Sequence, residues 1–412
     1  MNAIGDEDLQ GQLHEDSVCP KRDMDLVELA RLAGVPEPRS RDLQQPPEVE
    51  IPIPFIENKV YDYNRMADFL SLSIAANHHA NGGPVSRLLE TMIVALTRQA
   101  DGRRAIAVAN GTVALHMACG LHALKAGNSK FRWVTSAFNF FSARVGPLSE
   151  TMVIDCDKHG ALDMEALQAL PPDSYDGIIY TNVFAQYTCW DKLKSFCAQH
   201  GKSLVVDNAT GLLDRPSECR QAGSPIEIIS AHHTKPWGVG EGGFILCDAE
   251  DEFQLRQLAN FAANLPANAV FAASNNKISD LSAAAIIDRL ERMPDWSAHY
   301  HRQEQRLHAL MAEASAEIRP FSGTTDPHSP RAHTPFLCPM PVDALNVKGA
   351  VTLRKYYRPL PAHVPTPNAE DLFARIFSLS NAPEMQLASD DQIVSQVRSM
   401  MERAVETERN NV

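Results

Sequence analysis

Four places along the chain carry residue types that can do chemistry. Lys235 lies in Ser230-Ala-His-His-Thr-Lys-Pro-Trp-Gly-Val-Gly-Glu-Gly-Gly243. An amine held away from water loses its proton more readily and can attack a carbonyl to form an imine, whereas a lone loop lysine is ordinarily a solvated surface group. Asp207 ends the apolar run Ser-Leu-Val-Val-Asp. A carboxylate there either caps the next helix or pairs with a protonated ring, raising the ring's pKa. Gly111-Thr112 follow Ala-Ile-Ala-Val-Ala-Asn. A strand, a Gly-Thr turn and a helix start make a phosphate site from free backbone N–H groups and the helix dipole, or Thr112 is a plain N-cap. Phe138, Phe140 and Phe141 follow another apolar run, where aromatic rings stack on a planar ligand or fill a core.

Each feature alone has an ordinary structural explanation. Together they supply a phosphate cradle, a ring-stacking face, a carboxylate for a ring nitrogen and an imine-forming lysine. That combination is what pyridoxal 5'-phosphate (PLP) requires.

These residues need elements to position them. Short apolar runs recur at 104–108, 131–135, 151–154, 177–181, 203–206, 226–229 and 243–247, with helical segments at 112–126, 162–169 and 190–200 between several of them. Strands alternating with helices predict crossover units and a mostly parallel sheet covered on both faces. Ligands in such sheets bind at the carboxyl ends of the strands. After residue 276 the periodicity is helical over 281–293 and 301–315, a Pro- and His-rich passage follows at 320–335, and a polar helix spans 390–408. The fold class is therefore α/β, organised as an N-terminal extension (1–48, with one short helix near 23–33), a large cofactor-binding domain (49–275) and a smaller C-terminal α+β domain (276–412).

Composition excludes several classes. The 412 residues are 44% hydrophobic and 22% charged, which suits a globular chain with a sizeable core. With 38 Lys and Arg against 51 Asp and Glu the net charge is −13, which argues against nucleic-acid or anionic-membrane partners. The acidic start has no signal-peptide pattern, and the charge-free stretch 257–276 is too polar to span a bilayer because it carries Asn260, Pro266, Asn268 and Asn275. Eight scattered cysteines without a Cys-x-x-Cys pair suggest neither zinc framework nor disulfides, hence a reduced cytoplasmic protein. His232 and His233 are adjacent in a strand-like segment and point to opposite faces, so no metal site is read there.

From 51 to 397 the chain resembles the DegT/DnrJ/EryC1/StrS family of sugar aminotransferases, which have the aspartate-aminotransferase fold (PLP fold type I). The resemblance rests on Asn81-Gly-Gly-Pro-Val-Ser-Arg-Leu-Leu-Glu90, Ala109-Asn-Gly-Thr-Val-Ala-Leu115, Val205-Val-Asp-Asn-Ala209, Ser230-Ala-His-His-Thr-Lys-Pro236, Gly240-Glu-Gly-Gly243, Asn275-Asn-Lys-Ile-Ser-Asp-Leu-Ser-Ala-Ala284 and Leu353-Arg-Lys-Tyr-Tyr-Arg-Pro-Leu360. It implies that Lys235 carries the cofactor and shuttles the proton, and that Asp207 pairs with the pyridine nitrogen. Phe140 would stack on the ring, Gly111, Thr112 and Ser230 would bind the phosphate, and Thr210 would border the ring. Asn275 would reach the phosphate of a neighbouring subunit, implying a homodimer with shared active sites. Arg354 and Tyr357 would line the substrate side. The family pattern is broken at Asn208 and Thr210, where Ala and then Gln or His are usual; at Phe184-Ala-Gln-Tyr187, which lacks the family's Gly and Pro; at Ser136 and Asn139, where Pro and Thr are usual; and at His233, which replaces a small residue or Pro.

The resemblance implies transfer of an amino group from L-glutamate to the keto group of a nucleotide-linked deoxysugar. Relatives that remove a sugar hydroxyl instead have His at the position of Lys235. The alternatives are PLP-dependent transamination or lyase chemistry on a non-sugar intermediate, suggested by the altered residues around the cofactor, and a PLP-binding regulatory protein without turnover.

Overall fold

The seven apolar runs form the seven strands of one sheet in a computed structural model that describes residues 52–186, 190–213, 215–321 and 329–410. The strands are β1 (Arg103–Val108), β2 (Trp133–Ser136), β3 (Met152–Ile154), β4 (Gly177–Thr181), β5 (Ser203–Asp207), β6 (Ile226–Ser230) and β7 (Gly243–Asp248). Their order is β1-β7-β6-β5-β4-β2-β3, and β7 alone runs against its neighbours.

Both faces of the sheet are buried, which is why the strands read as continuous apolar runs. Successive residues nonetheless part to opposite sides. Ile106, Val205, Ile228 and Ile245 face a cluster with Leu115, Ala118 and Leu121 of α3 (Gly111–Lys125). Ala105, Ile229, Phe244 and Leu246 face the other way, onto Val85, Leu89 and Ile93 of α2 (Pro84–Leu96) and Ile286 and Ile287 of α7 (Asp280–Glu291). Ahead of α2 comes α1 (Tyr63–Ala76). Between α3 and α7 lie α4 (Met164–Ala169), α5 (Trp190–His200) and α6 (Ala249–Leu258).

A second sheet of β8 (Arg319–Pro320), β9 (His333–Leu337) and β10 (Ile376–Ser380) is antiparallel, in the order β10-β9-β8. It packs through Phe336, Phe377 and Leu379 on Leu307, Leu310 and Met311 of α8 (Met293–Ala314) and on Ile393, Val394 and Val397 of α10 (Asp390–Asn410). A short helix, α9 (Pro367–Arg375), precedes β10. All described residues belong to one compact unit.

The helix expected from 301 begins eight residues earlier. Pro294 stands in the first turn of α8, where its missing N–H costs no intrahelical bond, so it starts a helix rather than breaking one. The extension 1–48 with its short helix, and Tyr187, lie outside the described residues. Among the described residues no helix is long and apolar enough to cross a membrane.

Candidate active site

A cavity of about 580 Å³ opens where β4, β5 and β6 end and α3 begins. It gathers Gly111, Thr112, Phe140, Asp207, Thr210, Ser230 and Lys235 from segments far apart in sequence. Tyr357 also lines it, whereas Arg354 and Asn275 do not. Both of these are exposed, Arg354 bridging to Ser378 of β10 and Asn275 bridging to Asn260.

Asp207 is the last residue of β5 and is 2% exposed. Its Oδ1 accepts the Ala209 N–H at 3.1 Å. Burial pushes the carboxyl up to about 6, against the opposing pull of that hydrogen bond and of the Lys235 charge. Burial also lowers Lys235, with Asp207 acting against it. The amine and the carboxylate thus line one cavity in which burial moves each away from its charged form, the condition that suits acid–base work.

Asn110 caps α3 by accepting the Val113 N–H at 3.0 Å, so the chain turns into the helix with its first N–H groups pointing into the cavity. Gly111 is required by crowding: a Cβ there would lie 2.9 Å from Ser230 Cβ. Removing that carbon brings the helix N-terminus and the Ser230 hydroxyl to one point, a donor set that suits a phosphate. Gly243 fills the same need behind it, since a Cβ would meet the Asn110 carbonyl carbon at 2.5 Å. These residues fit the phosphate, ring nitrogen and aldehyde of PLP.

Phe140 is 52% exposed and turns its ring to the cavity mouth. Its backbone is fixed by Asn139, whose Oδ1 accepts the Phe140 N–H at 2.6 Å and whose amide donates to Thr135 Oγ1 at 2.9 Å. Thr210 Oγ1 donates to the Asn182 carbonyl at 3.3 Å. Asn208 turns away from the cavity: it accepts from Asn182 Nδ2 and donates to Glu227 Oε1, both at 2.8 Å. Glu227 is paired at 2.8 Å with the fully buried Arg215.

His333 and Arg331, outside every motif quoted above, also line the cavity, beside Tyr357, which the resemblance places on the substrate side. Phe184, His333, Tyr356 and Tyr357 form an aromatic wall, Phe184 stacking on Tyr357 at 5.3 Å. Burial, then the charges of Lys235 and Arg331, push His333 down to about 3, so its ring is neutral. Arg331, also lining, is ion-paired with Glu304. Phe184 and Ala185 hold left-handed backbone, with φ of 51° and 61°, at the turn where the resemblance calls for Gly. No cluster of metal-ligating side chains occurs among the described residues.

Comparison with known proteins accords with this geometry. A curated relative, the L-glutamine:2-deoxy-scyllo-inosose aminotransferase of Streptoalloteichus tenebrarius, is 23% identical over 292 residues, 63% of this chain and 66% of that protein. This chain thus spans just under two thirds of that relative's length. Among solved structures, DesI, determined in the presence of its TDP-sugar product, matches with a TM-score of 0.69 at 21% identity, covering 93% of this chain and all of DesI. PseC of Helicobacter pylori, an aminotransferase involved in pseudoaminic acid biosynthesis, matches with a TM-score of 0.69 at 16% identity, covering 85% and 99%. Both share the type I fold described above. The family match itself runs over residues 67–398, which takes in both sheets and every cavity residue from Gly111 onward: the chain is a member of the DegT/DnrJ/EryC1/StrS aminotransferase family.

Proposed function

We propose that this chain is a PLP-dependent aminotransferase that moves an amino group from L-glutamate to a keto group of a nucleotide-linked deoxysugar. The observation that carries the reading is the meeting of Lys235 and Asp207 in one cavity with the Gly111-Thr112 helix start and Ser230. When bound, PLP supplies an electron-withdrawing ring that stabilises charge on the carbon beside the transferred nitrogen.

The protein's groups then have separable tasks. Gly111, Thr112 and Ser230 hold the phosphate, and Phe140 and Thr210 border the ring. Asp207, ionised above about pH 6, keeps a proton on the ring nitrogen. Lys235, whose amine burial moves below its ordinary range, would be the group that condenses with the aldehyde with loss of water and that moves the proton to and from the reacting carbons. Asn275 is exposed and outside its own chain's cavity, which supports its serving the phosphate of a second copy. The exposed Phe261, Val270, Phe271 and Leu281 nearby in sequence favour a covered face there, as in a homodimer. Residues 49–275 are read as the cofactor-binding domain and 276–412 as the smaller one, in a cytoplasmic enzyme.

The acceptor class rests on the Thr-Lys-Pro and Asn-x-Lys-Ile-Ser-Asp wording of the sequence and on the TDP-sugar in the name of the DesI structure. The name of the Streptoalloteichus relative favours a second reading, a cyclitol ketone as acceptor and L-glutamine as donor. Visible absorption of the purified protein decides between donors: the band of PLP held on Lys235 converts to the pyridoxamine form with the true donor. A TDP-linked keto sugar or 2-deoxy-scyllo-inosose then reverses the change, according to which is the acceptor. Absence of any band with added PLP overturns the cofactor assignment, and full turnover by Lys235→Ala overturns the mechanism.

A further inference from the structure

The loop that carries Lys235 is held from behind by a second lysine. The extended segment preceding α1 pairs Ile53 N–H with the Ala350 carbonyl at 2.8 Å and Asn58 N–H with Glu384 Oε1 at 2.8 Å. Between those anchors and α1 it sends in Lys59, which is 7% exposed. Its ammonium donates to the carbonyls of His233 at 2.6 Å and Gly238 at 2.7 Å, and to the carbonyl of Lys235 itself. An ammonium has three N–H donors and no acceptor, so this one is fully committed to the loop backbone. Lys59 does not line the cavity, though Phe55 and Ile56 of the same segment do.

Those three carbonyls point to one spot, an arrangement that only a cation or a cluster of donors makes stable. The rest of the loop is fixed to match. Gly238 N–H donates back to the Lys235 carbonyl at 3.0 Å, and Trp237 Nε1 donates to the Ser230 carbonyl at 2.8 Å. Arg289 of α7 takes the Pro236 carbonyl at 2.8 Å and is itself paired with Glu57, which also accepts the Tyr300 hydroxyl at 2.6 Å. A Cβ on Gly238 would come within 2.2 Å of the His232 carbonyl oxygen, so the turn has no slack. Burial, then Arg289, push the Lys59 amine down to about 7 while Glu57 and Glu384 pull it up. Lys235 adds to the downward push, so the three-donor ammonium is the form held below about pH 7, by the carbonyls and these carboxylates.

The geometry points to Lys59 as a positioning residue whose ammonium fixes the backbone from which Lys235 reaches into the cavity. Without it the His233 and Gly238 carbonyls lose this donor and the Lys235 carbonyl keeps only the Gly238 N–H, the loop relaxes, and the Lys235 amine leaves its reacting position. The inference rests on the reading of Lys235 as the residue that condenses, with loss of water, with the PLP aldehyde.

The test compares two ligands on the full chain stripped of cofactor. Pyridoxamine 5'-phosphate occupies the same cradle but makes no bond to Lys235, so it reports the cavity and not the lysine. For Lys59→Met, PLP binding is expected to weaken about 10- to 100-fold, the scale that follows misplacement of a reacting group, with pyridoxamine phosphate affinity changed by less than about twofold. Lys59→Arg, which keeps charge and donors, is expected to recover most of the loss. Equal weakening of both ligands, or of neither, overturns the inference. Should Lys59→Met not fold, Lys59→Gln carries the same comparison. Borohydride trapping of PLP on the wild-type chain, followed by peptide mass spectrometry, separates the two readings. A label absent from Lys235 refutes the PLP reading itself, whereas a label on Lys235 with unchanged Lys59→Met binding refutes only the role of Lys59.

Discussion

Replacing Asp207 with Asn tests whether the cavity carries its carboxylate at the expense of stability. The side chain is 2% exposed, and burial moves its pKa from the usual 3.8 to about 6. A folded-state pKa above the unfolded value means that the stabilising contribution of the protonated group is complete below about pH 4 and is lost as pH rises through about 6. The gap corresponds to about 3 kcal/mol. Asparagine keeps an oxygen for the Ala209 N–H and is never charged. The favourable pull of Lys235 is already contained in the value of about 6.

Urea unfolding of the cofactor-free full chain, followed at several pH values, should therefore show Asp207→Asn level with the wild type near pH 4. Above pH 7 it should be more stable by up to about 3 kcal/mol. Added PLP should invert that order, because the carboxylate gains its ring-nitrogen partner and binding to the folded state alone raises stability. An advantage that does not change with pH, or a less stable Asp207→Asn at pH 8 without PLP, would refute the claim that desolvation dominates at this position.

Two further outcomes follow from the geometry. Ala185 holds φ of 61°, a left-handed conformation that costs an L-residue about 1 kcal/mol or more; Ala185→Gly should raise the urea midpoint by a comparable free energy, and a lowered midpoint would show that the turn is not strained. If Asn275 serves the partner's cofactor, mixing inactive Lys235→Ala with impaired Asn275→Ala should regenerate activity, because each mixed dimer then holds one wholly intact site. An absence of recovery after verified subunit exchange would refute service of Asn275 to the partner's cofactor.

The large sheet is legible in the sequence because parallel strands buried on both faces cannot alternate with polar residues. All seven runs stand out for that reason, and Asp207 and Ser230 mark where two of them end. The Gly111 turn is legible too, since glycine before a helix is the sequence trace of the close approach to Ser230. Residues supplied by tertiary contact leave no such trace. His333 and Arg331 arrive with β9 and its approach, and Phe184 comes from a turn whose usual glycine is missing. Lys59 meets the loop of Lys235 across 174 to 179 residues of chain. Nothing in Asn-Lys-Val-Tyr separates it from a surface lysine, and only the three carbonyls do.

The departures from the family pattern divide in an informative way once placed. Asn208, Asn139, Ser136, Ala185 and His233 are all absent from the cavity lining, and Thr210 alone among the non-aromatic changes reaches it. Asn208 joins the Asn182 amide to the buried Glu227–Arg215 pair, and Asn139 ties the Phe140 backbone to Thr135. Each of these acts on the support beneath the site and leaves the facing groups in place. A polar network that is fully bonded can fix geometry as firmly as the small residues it replaces, which lets the phosphate cradle, Asp207 and Lys235 persist while their backing changes. The sequence differences around the cofactor therefore argue for a rebuilt scaffold under retained chemistry. Among the facing residues Thr210 is the one departure that reaches the cavity, and the two groups that carry the chemistry, Lys235 and Asp207, remain.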